Sequence, residues 1–124
     1  MTRRRWALLV AVLVLAVALP AGAAGRSPAR LQVTADEFTL VLSRPSLRAG
    51  TAIVELVNVG EDEHDLALRR IGKGAITRRI RTVEPGEVGE LLARLRAGRF
   101  TLWCTLADHR ARGMQAALTV RAVR

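Results

Sequence analysis

From Leu31 onward the apolar residues of this chain come in short runs with the two-residue period of strands, which sets the fold class. Leu31–Val33 and Phe38–Leu42 are short and rich in β-formers. Ala52–Val59 alternates in part and stops at Gly60. His64–Leu68 begins another apolar alternation, and Val88–Leu95 follows the turn signal Glu84-Pro85-Gly86-Glu87. Arg99–Cys104 comes after Gly98, and Ala116–Val120 is the last run. Short strands cut by Gly and Pro turns at this spacing predict an all-β, antiparallel Greek-key β-sandwich. Residues 75–83 fit no single class and leave a loop, a short strand and a helical turn open. With 124 residues and no internal repeat there is room for one domain, expected over residues 25–124.

Residues 1–24 read differently. Arg3, Arg4 and Arg5 precede an apolar run from Trp6 to Leu19, Pro20 breaks the run, and the small residues Ala21–Gly25 follow. This is the order of a secretory signal peptide, with cleavage expected after Ala23 or Ala24. The run is short for crossing a hydrocarbon core, so a retained anchor is the weaker expectation. The mature domain is therefore expected outside the cytoplasm, periplasmic or secreted, without a transmembrane segment.

Exported proteins usually carry cysteine in pairs, yet Cys104 is alone. Burial, intermolecular pairing or a metal would each explain a lone thiol in an oxidising compartment. The chain has two His and two Met, and Met1 leaves with the leader. Cys104, His109 and Met114 follow a Cys-x4-His-x4-Met spacing, and His64 lies upstream at a loop-to-strand junction. Singly, each has a plainer reading: a small buried hydrophobe, a solvated imidazole, a core filler. Together, two imidazoles, one thiolate and one distant thioether make the donor set of a blue-copper site. Cu(I) favours sulfur and Cu(II) favours nitrogen, so a mixed set suits both states and little has to move when an electron arrives.

The formal net charge of +9 raises the question of nucleic acid. After the leader the aromatics are only Phe38, Phe100 and Trp103, too few to interleave stacking with clustered cations. No nucleic-acid partner is expected, and the arginines read as distributed over a solvated surface.

The stretch Phe100-Thr101-Leu102-Trp103-Cys104, then His109, Gly113-Met114 and Leu118-Thr119-Val120, resembles the C-terminal copper loop and last strand of the cupredoxins. Asn58-Val59-Gly60 followed by His64-Asp65-Leu66 resembles their upstream histidine segment. The Cys-to-His spacing is similar to that of rusticyanin, auracyanin and sulfocyanin. The resemblance implies one copper ion held by His64, Cys104 and His109 in its plane, with Met114 axial. It also makes Asp65 a candidate brace on the cysteine loop. Many relatives have Pro-Gly before the second histidine where this chain has Ala107-Asp108. With Arg110 and Arg112 close by, a polar docking surface is expected around His109.

One-electron outer-sphere transfer is the leading expectation, in a monomer whose redox partner docks near His109. Copper delivery or storage is the runner-up, although such carriers usually need several exchangeable Met or His on flexible tails. An enzyme would need a further metal site, and both histidines are already used. A metal-free structural sandwich is the remaining alternative.

Overall fold

The structure is a computed structural model that describes residues 25–124, so the predicted signal peptide lies outside the described residues. Nine strands follow one another: β1 (Ala29–Asp36), β2 (Thr39–Leu42), β3 (Ser46–Arg48), β4 (Gly50–Asn58), β5 (His64–Arg70), β6 (Thr77–Val83), β7 (Val88–Leu95), β8 (Gly98–Trp103) and β9 (Gln115–Arg121). They form a four-stranded sheet in the order β2-β1-β4-β7 and a five-stranded sheet in the order β3-β9-β8-β5-β6. Among the described residues no helix is long and apolar enough to cross a membrane.

The expected β-sandwich is present, and one detail differs. Both sheets are mixed, because β1 pairs with β4 in parallel and β3 pairs with β9 in parallel. The chain leaves the first sheet after β2, lays the three residues of β3 against the second, and returns as β4. That excursion replaces a hairpin and lets β4 run in the direction of β1.

The ambiguous stretch 75–83 contains β6, an edge strand. Its register shifts between His64 and Leu66, with Val83 opposite His64 and Ile80 opposite Leu66. The irregularity turns Ile80 and Val83, three residues apart, to the same buried side. A bulge thus removes the two-residue period that would have marked the strand.

The core lies between the sheets. Leu31 and Val33 of β1 and Val54 and Leu56 of β4 face Leu66, Leu68, Leu102 and Leu118 of β5, β8 and β9, all essentially without exposure. Burying each such side chain contributes about 1.5–3 kcal/mol. The described residues hold both sheets and this core.

Strand direction gives the sandwich two ends. One end carries His64, Cys104 and the β8–β9 loop, together with the end of β1 and the β6–β7 turn. The other carries the β5–β6 loop, the β7–β8 turn and the start of β1.

Candidate metal centre

Three of the four expected ligands meet at the first of these ends. The ligand atoms of His64, Cys104 and His109 lie within 4.8 Å of one another, and all three residues are buried. Cys104 Sγ sits 3.6 Å from His109 Nδ1. The two imidazoles approach edge to face, with ring centroids 5.2 Å apart.

His64 is the first residue of β5, and its ring is fixed from behind. Its Nε2–H donates to Glu37 Oε1 at 2.8 Å, while the buried Nδ1 has no hydrogen-bond partner. A buried ring nitrogen without a partner costs about 1–3 kcal/mol unless something occupies its lone pair. The Glu37 bond sets the tautomer so that this lone pair belongs to Nδ1. Such a donor set, thiol and two imidazoles around one orphaned nitrogen, fits a soft-to-borderline metal ion.

Glu37 is anchored in turn by the backbone N–H groups of Asp62 at 2.9 Å and Glu61 at 3.0 Å. Those two donors, then the His64 ring, hold its carboxyl down from 4.5 to about 2. Asn58 organises the same loop. Its side-chain N–H groups donate to the carbonyls of Asp62 at 2.7 Å and Val83 at 2.9 Å, and its side-chain oxygen accepts from Gly60 N at 2.9 Å.

Cys104 follows directly on β8, and its loop is tied at both ends. Cys104 N–H donates to Met114 O at 3.1 Å, and Met114 N–H to His109 O at 3.0 Å. Burial pushes the Cys104 thiol above its ordinary range. A bound cation would have to displace that proton. Asp65 braces the loop as expected: its carboxylate accepts from Thr105 N at 2.6 Å and, through the other oxygen, from the Thr105 hydroxyl.

The β8–β9 loop is wound tightly. Gly113 lies at φ 123°, where a Cβ would press on the Phe38 carbonyl, so glycine is needed there. Ala107 sits at φ 41°, a left-handed conformation that strains an alanine. Met114 closes the loop and is fully buried.

His109 is the least enclosed of the three, 9% exposed against 0% for His64 and Cys104. Phe38 covers it, with ring centroids 5.0 Å apart. Arg112 lies over Phe38 at 4.2 Å and beside Asp108 at 3.7 Å, while Arg110 lies over Trp103 at 4.6 Å. The charges expected near His109 are there, and they are partly spent on internal contacts.

Two site residues have no counterpart in the sequence reading. Glu37 and Phe38 form the β1–β2 turn, and that turn supplies both the brace on His64 and the lid on His109. An acidic residue and an aromatic at a hairpin turn carry no local mark of this role.

Among solved structures, the chain is similar to auracyanin B, with 20% identity over 77% of this chain and 91% of that one, at a TM-score of 0.62. It is similar to auracyanin A, a "blue" copper protein from the green thermophilic photosynthetic bacterium Chloroflexus aurantiacus. Identity there is 17% over 77% of this chain and 100% of that one, with a TM-score of 0.62. Amicyanin from Paracoccus versutus follows at 19% identity, 79% and 87% coverage, and a TM-score of 0.52. No protein-family model matches the chain, and no curated protein matches it by sequence. The likeness is one of fold: this is a cupredoxin-fold β-sandwich in which His64, Cys104 and His109 form a candidate copper site.

Proposed function

We propose that this cupredoxin-fold chain is an exported blue-copper protein that carries single electrons through one copper ion. The observation that carries the reading is the buried trio with the orphaned His64 Nδ1. His64, Cys104 and His109 would hold the metal, with the buried Met114 offering a thioether as a fourth donor. Bound there, copper would supply a one-electron couple whose two states share one ligand set.

The protein's own part is to hold still. Glu37 orients His64 through Nε2, Asp65 pins the residue after Cys104, and the Cys104–Met114 backbone bond fixes the loop. Preset donors of this kind keep the site from reorganising between redox states. His109 is the ligand with some surface, so a partner would dock over the patch of Phe38, Arg110 and Arg112 around it. Export rests on the leader-like residues 1–24. Burial of every proposed ligand argues against ready exchange of copper with a recipient, and with both histidines in one site no enzymatic role is proposed.

The test is spectroscopic. Residues 25–124 with one equivalent of Cu(II) should show an intense thiolate-to-copper band near ~600 nm that Cys104→Ser abolishes. A weak band unaffected by the substitution would overturn the reading.

A further inference from the structure

The end of the sandwich away from the ligands has its own chemistry. The β5–β6 loop projects Ile71 and Ile76, which are 60% and 67% exposed. Apolar side chains are as open singly elsewhere, as at Leu92, but here two stand on one loop inside a rim of cations. Arg69, Arg70, Lys73 and Arg78 surround them in sequence, and Arg94 near the end of β7 with Arg96 of the β7–β8 turn completes a rim. Arg70, Arg78, Arg94 and Arg96 line one open cleft of about 390 Å³ beside Ile76. Among the described residues the ion pairs are Arg30–Glu55, Arg112–Asp108 and His64–Glu37, so none of these six cations is paired.

The acidic residues are elsewhere. Apart from the mid-sheet pair Glu55 and Glu90, the strand register puts them at the ligand end, on the strand ends, loops and turns around His64 and Cys104. Six cations therefore surround the two isoleucines with no acidic residue of that end beside them, while Arg110 and Arg112 stand at the ligand end.

We infer that this end docks on an anionic phospholipid surface, with Ile71 and Ile76 entering the headgroup–acyl boundary and the guanidinium rim contacting lipid phosphates. An apolar tip inside a ring of long basic side chains is the arrangement that suits such a boundary, because the stems reach past buried apolar groups to charge. The cleft is open, and Arg69 and Lys73 lie outside it, so the charge extends over a surface, which favours a membrane over a small soluble anion. With this end on the membrane, His109 faces away from it.

The experiment is cosedimentation of metal-free residues 25–124 with phosphatidylglycerol-containing vesicles and with pure phosphatidylcholine vesicles, which leaves the copper reading untouched. Binding should require phosphatidylglycerol and weaken with salt. Lys73→Glu with Arg78→Glu should reduce it at least about tenfold. Ile71→Ser with Ile76→Ser should reduce it about tenfold by the loss of apolar insertion. All four positions are surface ones, and unchanged melting would show that both variants fold. Equal binding to both lipids, no binding, or binding indifferent to either pair would overturn the proposal. So would capture of soluble polyphosphate in place of vesicles. Self-association in vesicle-free buffer, abolished by the charge reversal, would assign the surface instead to the acidic end of a second copy.

Discussion

The two ends of this sandwich are built on opposite terms. At the ligand end every buried side-chain nitrogen and oxygen of the described residues has a partner, except the one His64 nitrogen. At the far end six cations and two isoleucines have none. The first arrangement suits a site that must not move. The second suits a surface that acts through what it meets. Both sit on the same strands, so the sheet decides position and the connecting loops decide chemistry.

The contrast predicts that equal perturbations have unequal effects at the two ends. Asp65→Ala should cost the metal-free protein about 2–3 kcal/mol in chemical denaturation, since it strips both partners from Thr105 next to a buried core residue. Lys73→Ala, at the other end, should change stability by less than about 0.5 kcal/mol. A similar response from both would erase the distinction.

Glu37→Gln should weaken Cu(II) binding about tenfold or more and raise the reduction potential, because a neutral amide behind His64 favours the higher charge less than a carboxylate does. An unchanged potential in a protein that still binds would mean that Glu37 only fills space. Ala107→Gly should stabilise the fold by about 0.5–1 kcal/mol by releasing the strained φ, less the entropy that glycine loses on folding.

The smallest effect concerns acidity at the ligand end. The Glu84 carboxyl is raised above 4.5 by its hydrogen bond to Glu63 and by that neighbour's charge. A carboxyl raised in the folded state holds its proton more tightly there, so the pair weakens the fold at neutral pH. That penalty fades as pH falls through the raised value and is absent below about 4.5. Glu84→Gln should therefore raise Tm slightly at pH 7 and leave it unchanged at pH 4, as read by thermal melts of the metal-free protein.

Cys104, His64 and His109 were legible in the sequence because their residue types are scarce here and the chemistry needs those types. Asp65 was legible by adjacency to His64. Glu37 and Phe38 were not, because their roles exist only when the first sheet's β1–β2 turn is laid against the second sheet's ligands. β3 escaped because three residues with one buried leucine make no period, and β6 because its bulge broke one. The parallel pairings were illegible for a related reason: direction depends on where the chain crosses between sheets, which alternation does not encode. Composition gave the excess of arginine but not the cluster around the β5–β6 loop.

Gly60 was read as a strand terminator, and its φ demands no glycine. What demands it is the Glu37 carboxylate, which occupies the place a Cβ would take. Positions tied in space this way are expected to be tied in descent as well. A lineage that gains a side chain at position 60 must first shorten or displace residue 37, and one that loses Glu37 releases position 60 to vary. Gly60→Ala should be harmful with Glu37 present and tolerated beside Glu37→Ala, which makes this pair a mark by which chains that kept the carboxylate behind the first histidine can be told from those that did not.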